Sequence, residues 1–128
     1  MQFTKHIKQY EYSCRCGCDA IYIDNTLLYI LQFLRLYYDK PLTITSGNRC
    51  VEHNATIPGS VSGSSHIPRE YTKGLAPYGK AVDFKIKDVN PKDIYNLLDD
   101  LFPNSLGLGL YSNRNHLDTR STRHRWEA

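Results

Sequence analysis

The sequence has little that would place it in a membrane or on a nucleic acid. No apolar run approaches the roughly 20 residues that a membrane-spanning helix needs. The opening residues, 1–14, are polar and lack the apolar core of a secretory signal. The chain is therefore expected to stay in the compartment where it is made until something else releases it, or to leave by another route. Charge of one sign is also scarce. Sixteen Lys and Arg against thirteen Asp and Glu leave a formal net charge of +3, too small an excess to mark a nucleic-acid binder. There is no repeat, linker or low-complexity tract. Ten tyrosines, four phenylalanines and one tryptophan in a 41% hydrophobic chain can build a real core, which excludes long disorder as the main description. A single domain spanning residues 1–128, without a membrane or nucleic-acid partner and monomeric, is the expectation.

Cysteine use is ambiguous. Three of the four cysteines lie in Cys14-Arg15-Cys16-Gly17-Cys18, and Cys50 follows Arg49. The spacing is not the paired C-x-x-C of a zinc ribbon. Alternate residues share one face of a strand, so the cluster has a way to converge. Plain thiols are the natural default without a secretory signal, with a disulfide to Cys50 or a separate metal site as alternatives.

Periodicity gives an α+β pattern. Leu27, Ile30, Leu31, Leu34 and Tyr38 recur at three- and four-residue steps, predicting a helix over residues 26–38 with Asp24 or Asn25 as its N-cap. Residues 42–45 and 80–87 alternate as strands. Asn90-Pro91 opens a second helix to about Phe102, with Ile94, Leu97, Leu98 and Leu101 as its buried stripe. Residues 106–111 and 115–119 read as two strands of a hairpin, while residues 53–78 are loop-like. The expected architecture is a small antiparallel sheet with helices packed on one side. Tyr29, Tyr37 and Tyr38 fall on the first helix and are assigned to packing. His6 and His124 are assigned to the surface.

Three polar residues interrupt segments that otherwise want burial: His66, Asp83 within Ala81-Val82-Asp83-Phe84, and His116. Two imidazoles and a carboxylate suit a catalytic zinc with one open position, and a zinc ion so held keeps enough charge to bring bound water toward a pKa of about 7. The bland alternative is a pair of hydrogen-bonded histidines and an aspartate that caps a turn. Spacing alone leaves both open. Likewise Arg114, Arg120, Arg123 and Arg125 form either a basic patch or an ordinary solvated face.

A series of short segments narrows the choice. Ser46-Gly47-Asn48-Arg49-Cys50, His53-Asn54, Gly63-Ser64-Ser65-His66, Gly79-Lys80-Ala81-Val82-Asp83-Phe84, Gly107-Leu108-Gly109-Leu110-Tyr111, His116-Leu117-Asp118 and Arg125-Trp126 occur in that order. Together they resemble the zinc D-alanyl-D-alanine carboxypeptidase family, and within it the small peptidoglycan-cutting branch that shares a fold with the hedgehog signalling domain. The resemblance covers about residues 11–126. It implies Zn²⁺ held by His66, Asp83 and His116, in a cleft on the exposed side of the sheet. It implies hydrolysis of peptide bonds near D-alanine in peptidoglycan stem or cross-bridge peptides, by a carboxypeptidase or endopeptidase. The missing signal then suggests a phage-type lysin, cytoplasmic until release. A non-catalytic, metal-containing binding module of the same fold is the alternative.

The resemblance also assigns roles around the metal. Arg49 matches the arginine that would clamp a carboxylate or steady an oxyanion, with a structural ion pair as its alternative. Asp118 lies two residues beyond His116, on the same strand face. It is either the general base or a carboxylate that orients a histidine and holds Arg120. His53 and Asn54 are read as support near the cleft, and Trp126 as packing at its edge or closing the core. Two departures stand out. Several relatives carry an acid three residues before the last histidine, where this chain has Asn113. Residues 67–78 lengthen the step between His66 and Gly79, as a flap over the site or as a plain surface loop.

Overall fold

The computed structural model describes residues 6–7, 23–47 and 80–128. Helix α1 runs Asn25–Tyr38, and its N-cap Asp24 accepts a hydrogen bond from the Leu27 amide at 3.3 Å. Leu27, Leu28, Ile30, Leu31 and Leu34 are its buried stripe. Asp39 then takes the left-handed conformation that ends the helix, with φ 51°. Strand β1, Leu42–Ser46, follows, and later strand β2, Ala81–Ile86. Asn90 caps helix α2, Pro91–Leu101, by accepting from the Lys92 amide at 2.9 Å. Pro91 sits in the first turn, where its missing N–H costs nothing. Strands β3 (Gly107–Leu110), β4 (Asn115–Asp118) and β5 (His124–Glu127) complete the chain.

The five strands form one sheet in the order β1-β2-β4-β3-β5. The first four pair antiparallel, as expected. The tail differs from expectation: β5 joins the edge of the sheet parallel to β3, making the sheet mixed. The link from β4 to β5 crosses the start of β3. There the Leu106 amide donates to the Arg120 carbonyl and the His124 amide to the Leu106 carbonyl, both at 3.0 Å.

Strand alternation gives the sheet two unlike faces. Leu42, Ile44, Val82, Phe84, Ile86, Leu108 and Leu117 point to one, where they join the buried residues of both helices in a single apolar cluster. Ile7 is part of that cluster, and neighbouring His6 pairs with Gln32 of α1 at 2.8 Å, so His6 is a tie to the helix and not the surface residue expected. Two further expectations fail on this side. Leu101, the last residue of α2, is half exposed. Tyr29 and Tyr37 are 68% and 59% exposed, so of the three helix tyrosines only Tyr38 packs against the core.

The opposite face carries the polar residues. Register places Asp83 opposite His116, His116 opposite Gly109, and Gly109 opposite Trp126, one row running across four strands. The next row runs Ala81, Asp118, Gly107, His124. A bulge between Ile44 and Ser46 brings Ser46 opposite Asp83 at the head of the first row.

Candidate metal centre

Asp83, His116 and Asp118 were expected to share a site, and the two rows bring them together. The His116 ring lies between the two carboxylates. Its Nδ1 is 2.9 Å from Asp83 Oδ1 and its Nε2 is 2.9 Å from Asp118 Oδ2. Asp118 is completely buried, while the Asp83 and His116 side chains keep 15% and 12% of their exposure. The two carboxylates therefore meet the two nitrogens of one ring, Asp118 from within the protein and Asp83 from the less buried side.

Asp118 is fully engaged. Its Oδ1 accepts from Arg120 Nε at 2.7 Å and from the Arg120 amide at 3.2 Å, and its Oδ2 accepts from Arg120 Nη2 at 2.8 Å. With His116 Nε2, four donors meet the four acceptor positions of a carboxylate. Burial by itself would raise the Asp118 pKa, but the hydrogen bonds from His116 and Arg120 outweigh it and hold the carboxyl well below the usual range. A negative charge facing Nε2 keeps a proton on that nitrogen and aims Nδ1 at Asp83, where a proton, or a bound cation in its place, can lie between the two. Burial lowers the His116 pKa, yet the paired carboxylates, Asp118 ahead of Asp83, raise it overall.

Two glycines make room for this arrangement. A Cβ on Gly107 would run into the Asp118 carboxylate. One on Gly109 would come within 2.5 Å of the Trp126 indole. Sequence reasoning quoted these glycines without a physical role; the strand period puts both on one face, and only the register across strands shows what each makes room for. Trp126 sits at the edge of the site and does not close the core, with its ring centroid 4.8 Å from that of His116.

The tail arginines have partners within the protein. Beside Arg120 on Asp118, Arg123 and Arg125 reach Asp99 at 2.6 and 2.8 Å. Arg125 also donates to the carbonyls of Phe102, Ser105 and Leu106, tying β5 to the end of α2. Arg114 lies over the Tyr111 ring at 4.1 Å. These commitments weigh against a basic face for nucleic acid.

His66, Arg49, His53, Asn54, the four cysteines and the 67–78 insert lie outside the described residues. Among the described residues no group of three or more His, Cys, Asp or Glu side chains is placed to hold a metal ion, and no helix is long and apolar enough to cross a membrane. Asp83 Oδ1 and His116 Nδ1 nonetheless fit such an ion in donor chemistry: a carboxylate oxygen and an oriented imidazole nitrogen converging from neighbouring strands. Asn113, where the resemblance led to the expectation of an acid, is exposed in the β3–β4 turn and accepts from Arg114 Nη1 at 3.3 Å.

An imidazole held at one nitrogen by a carboxylate, with the other nitrogen facing a second carboxylate, is the kind of support that metal-ligating histidines have. Residues 2–118 match the family model described as Peptidase M15, and the chain belongs to that family of metallopeptidases. Comparison with curated proteins and with solved structures finds no match.

Proposed function

We propose that the protein is a zinc-dependent peptidase of peptidoglycan stem or cross-bridge peptides, cutting near D-alanine as a carboxypeptidase or endopeptidase. The observation that carries the reading is the pairing of Asp83 and His116 on one sheet face, with His116 Nε2 fixed by Asp118. In this reading His66 joins Asp83 and His116 as the third ligand. When bound, zinc supplies a Lewis acid that polarises the scissile carbonyl and acidifies a water molecule. The chain's own residues orient and exclude. Of the two roles expected for Asp118, the geometry supports the positioning one: a carboxylate with all four acceptor positions filled has none left for a water proton. Arg49 would hold the substrate carboxylate or the developing oxyanion.

Metal analysis and cell-wall digestion test the proposal together. The wild type is expected to carry one equivalent of zinc and to release peptide fragments from purified peptidoglycan, and His66→Ala to do neither. Equal zinc in both proteins would refute the ligand assignment. One equivalent of zinc in the wild type without fragment release would favour the non-catalytic binding module.

A further inference from the structure

Trp126 lies beyond the residues that the family model matches, 2–118, yet its indole reaches the His116 ring. The reach needs explaining. Trp126 is on β5 and His116 on β4, with β3 between them. Two strand spacings amount to about 9–10 Å, but the ring centroids are only 4.8 Å apart, at an interplanar angle of 48°. The residue between them in the row is Gly109. Because it has no side chain, the indole leans across its backbone, and a Cβ there would come within 2.5–2.7 Å of Cε2, Cζ2 and Nε1 of the indole. The indole is also anchored by a hydrogen bond: Nε1–H donates to the Tyr111 hydroxyl at 3.2 Å. Tyr111 is in turn covered by the Arg114 guanidinium.

The contacts of His116 Nε2 with Asp118 and of Nδ1 with Asp83 are both directed in the ring plane, and how far the ring tilts out of that plane depends on what packs against it. A second ring packed against it, here at a tilt of 48°, limits that movement. We infer that Trp126, seated over Gly109 and anchored by Tyr111, is a positioning residue that sets the tilt of the His116 imidazole for metal ligation. This inference rests on the zinc reading proposed above. It also makes Trp126, the one tryptophan in the chain, an intrinsic reporter of what binds at His116.

The test uses the full chain, zinc alone as the probe, and far-UV circular dichroism to check that each variant folds. Zinc affinity is measured by competition with a chromophoric chelator, and tryptophan emission is followed in the same titration. Wild-type emission is expected to change in step with the first equivalent of zinc. Trp126→Ala is expected to weaken zinc binding about 10–100-fold, as loss of groups that orient a ligand does. Trp126→Phe, which keeps a ring beside His116, is expected to restore most of that loss. Gly109→Ala, which displaces the indole without removing it, is expected to weaken binding as well, and it covers the case in which Trp126→Ala does not fold. Unchanged affinity in folded Trp126→Ala or Gly109→Ala overturns the inference while leaving the zinc reading intact, as does wild-type zinc binding without a change in emission. A rise in KM with unaltered zinc affinity also overturns it, making the indole a wall for substrate. Failure of the wild type to bind zinc overturns both.

Discussion

Arg120 grips the buried Asp118 carboxylate at both oxygens, Nε on Oδ1 at 2.7 Å and Nη2 on Oδ2 at 2.8 Å. This side-on fork leaves His116 Nε2 the remaining position on Oδ2, so an arginine just past the end of β4 decides which way a histidine inside it faces.

Arg120→Ala is therefore expected to act at two levels. It leaves a buried carboxylate short of its main partner, at a cost of about 3 kcal/mol, the low end for a buried pair because Arg120 itself is 38% exposed. It also frees Asp118 to turn, and zinc affinity is expected to fall. Denaturant unfolding and chelator competition on the same preparations measure both effects. Loss of stability with intact zinc affinity would show that the clasp supports the fold alone.

Asp118→Asn separates the two roles assigned to Asp118. A general base removed from its place lowers kcat while zinc stays bound. A positioning carboxylate removed from its place weakens zinc binding about 10–100-fold, and activity recovers in part when zinc is supplied in excess. The second outcome is expected, since Asp118 has no acceptor position left for water. Zinc titration of hydrolysis in wild type and variant decides it.

The helices and the inner strands were legible in the sequence because their burial is one-sided. The stripe from Leu27 to Leu34 and the Asp24 and Asn90 caps each state a helical period and a start. Asp83, His116 and Asp118 were legible as polar residues at alternate positions in strands whose other face is apolar. Strand β5 was not. Its residue on the helix side, Arg125, is a cation satisfied by Asp99 and backbone carbonyls, so the segment shows no apolar alternation. Nor could spacing reveal how Gly107 and Gly109 serve the site, because each works by admitting a side chain from another strand. The helix tyrosines misled for a related reason: an amphipathic ring fits either face of a helix, and composition does not say which.

Gly107→Ala tests the close approach directly. Gly107 opposes Asp118 in the sheet, and its added Cβ meets the carboxylate that Arg120 and His116 hold from the other sides. With nowhere to retreat, the expected cost is about 1–3 kcal/mol of stability, as for overpacking elsewhere, together with a loss of zinc affinity. Thermal unfolding and zinc binding equal to wild type would mean that the carboxylate shifts without consequence.

Asp99 gives a prediction for acid conditions. The hydrogen bonds from Arg125, and next from Arg123, hold its carboxyl below the ordinary value in the folded protein. A depressed pKa stabilises the fold at pH values above the unfolded value of about 3.9, and the contribution is lost as pH falls through that value toward the folded one. Because Arg125 ties β5 to the end of α2 through Asp99 and three backbone carbonyls, losing the charge loosens the edge that carries Trp126. Asp99→Asn is expected to lower the melting temperature near neutral pH and to narrow its gap from wild type as the pH drops below about 4. Melting curves for the two proteins that stay parallel from neutral to acid pH would remove Asp99 from the account of acid stability.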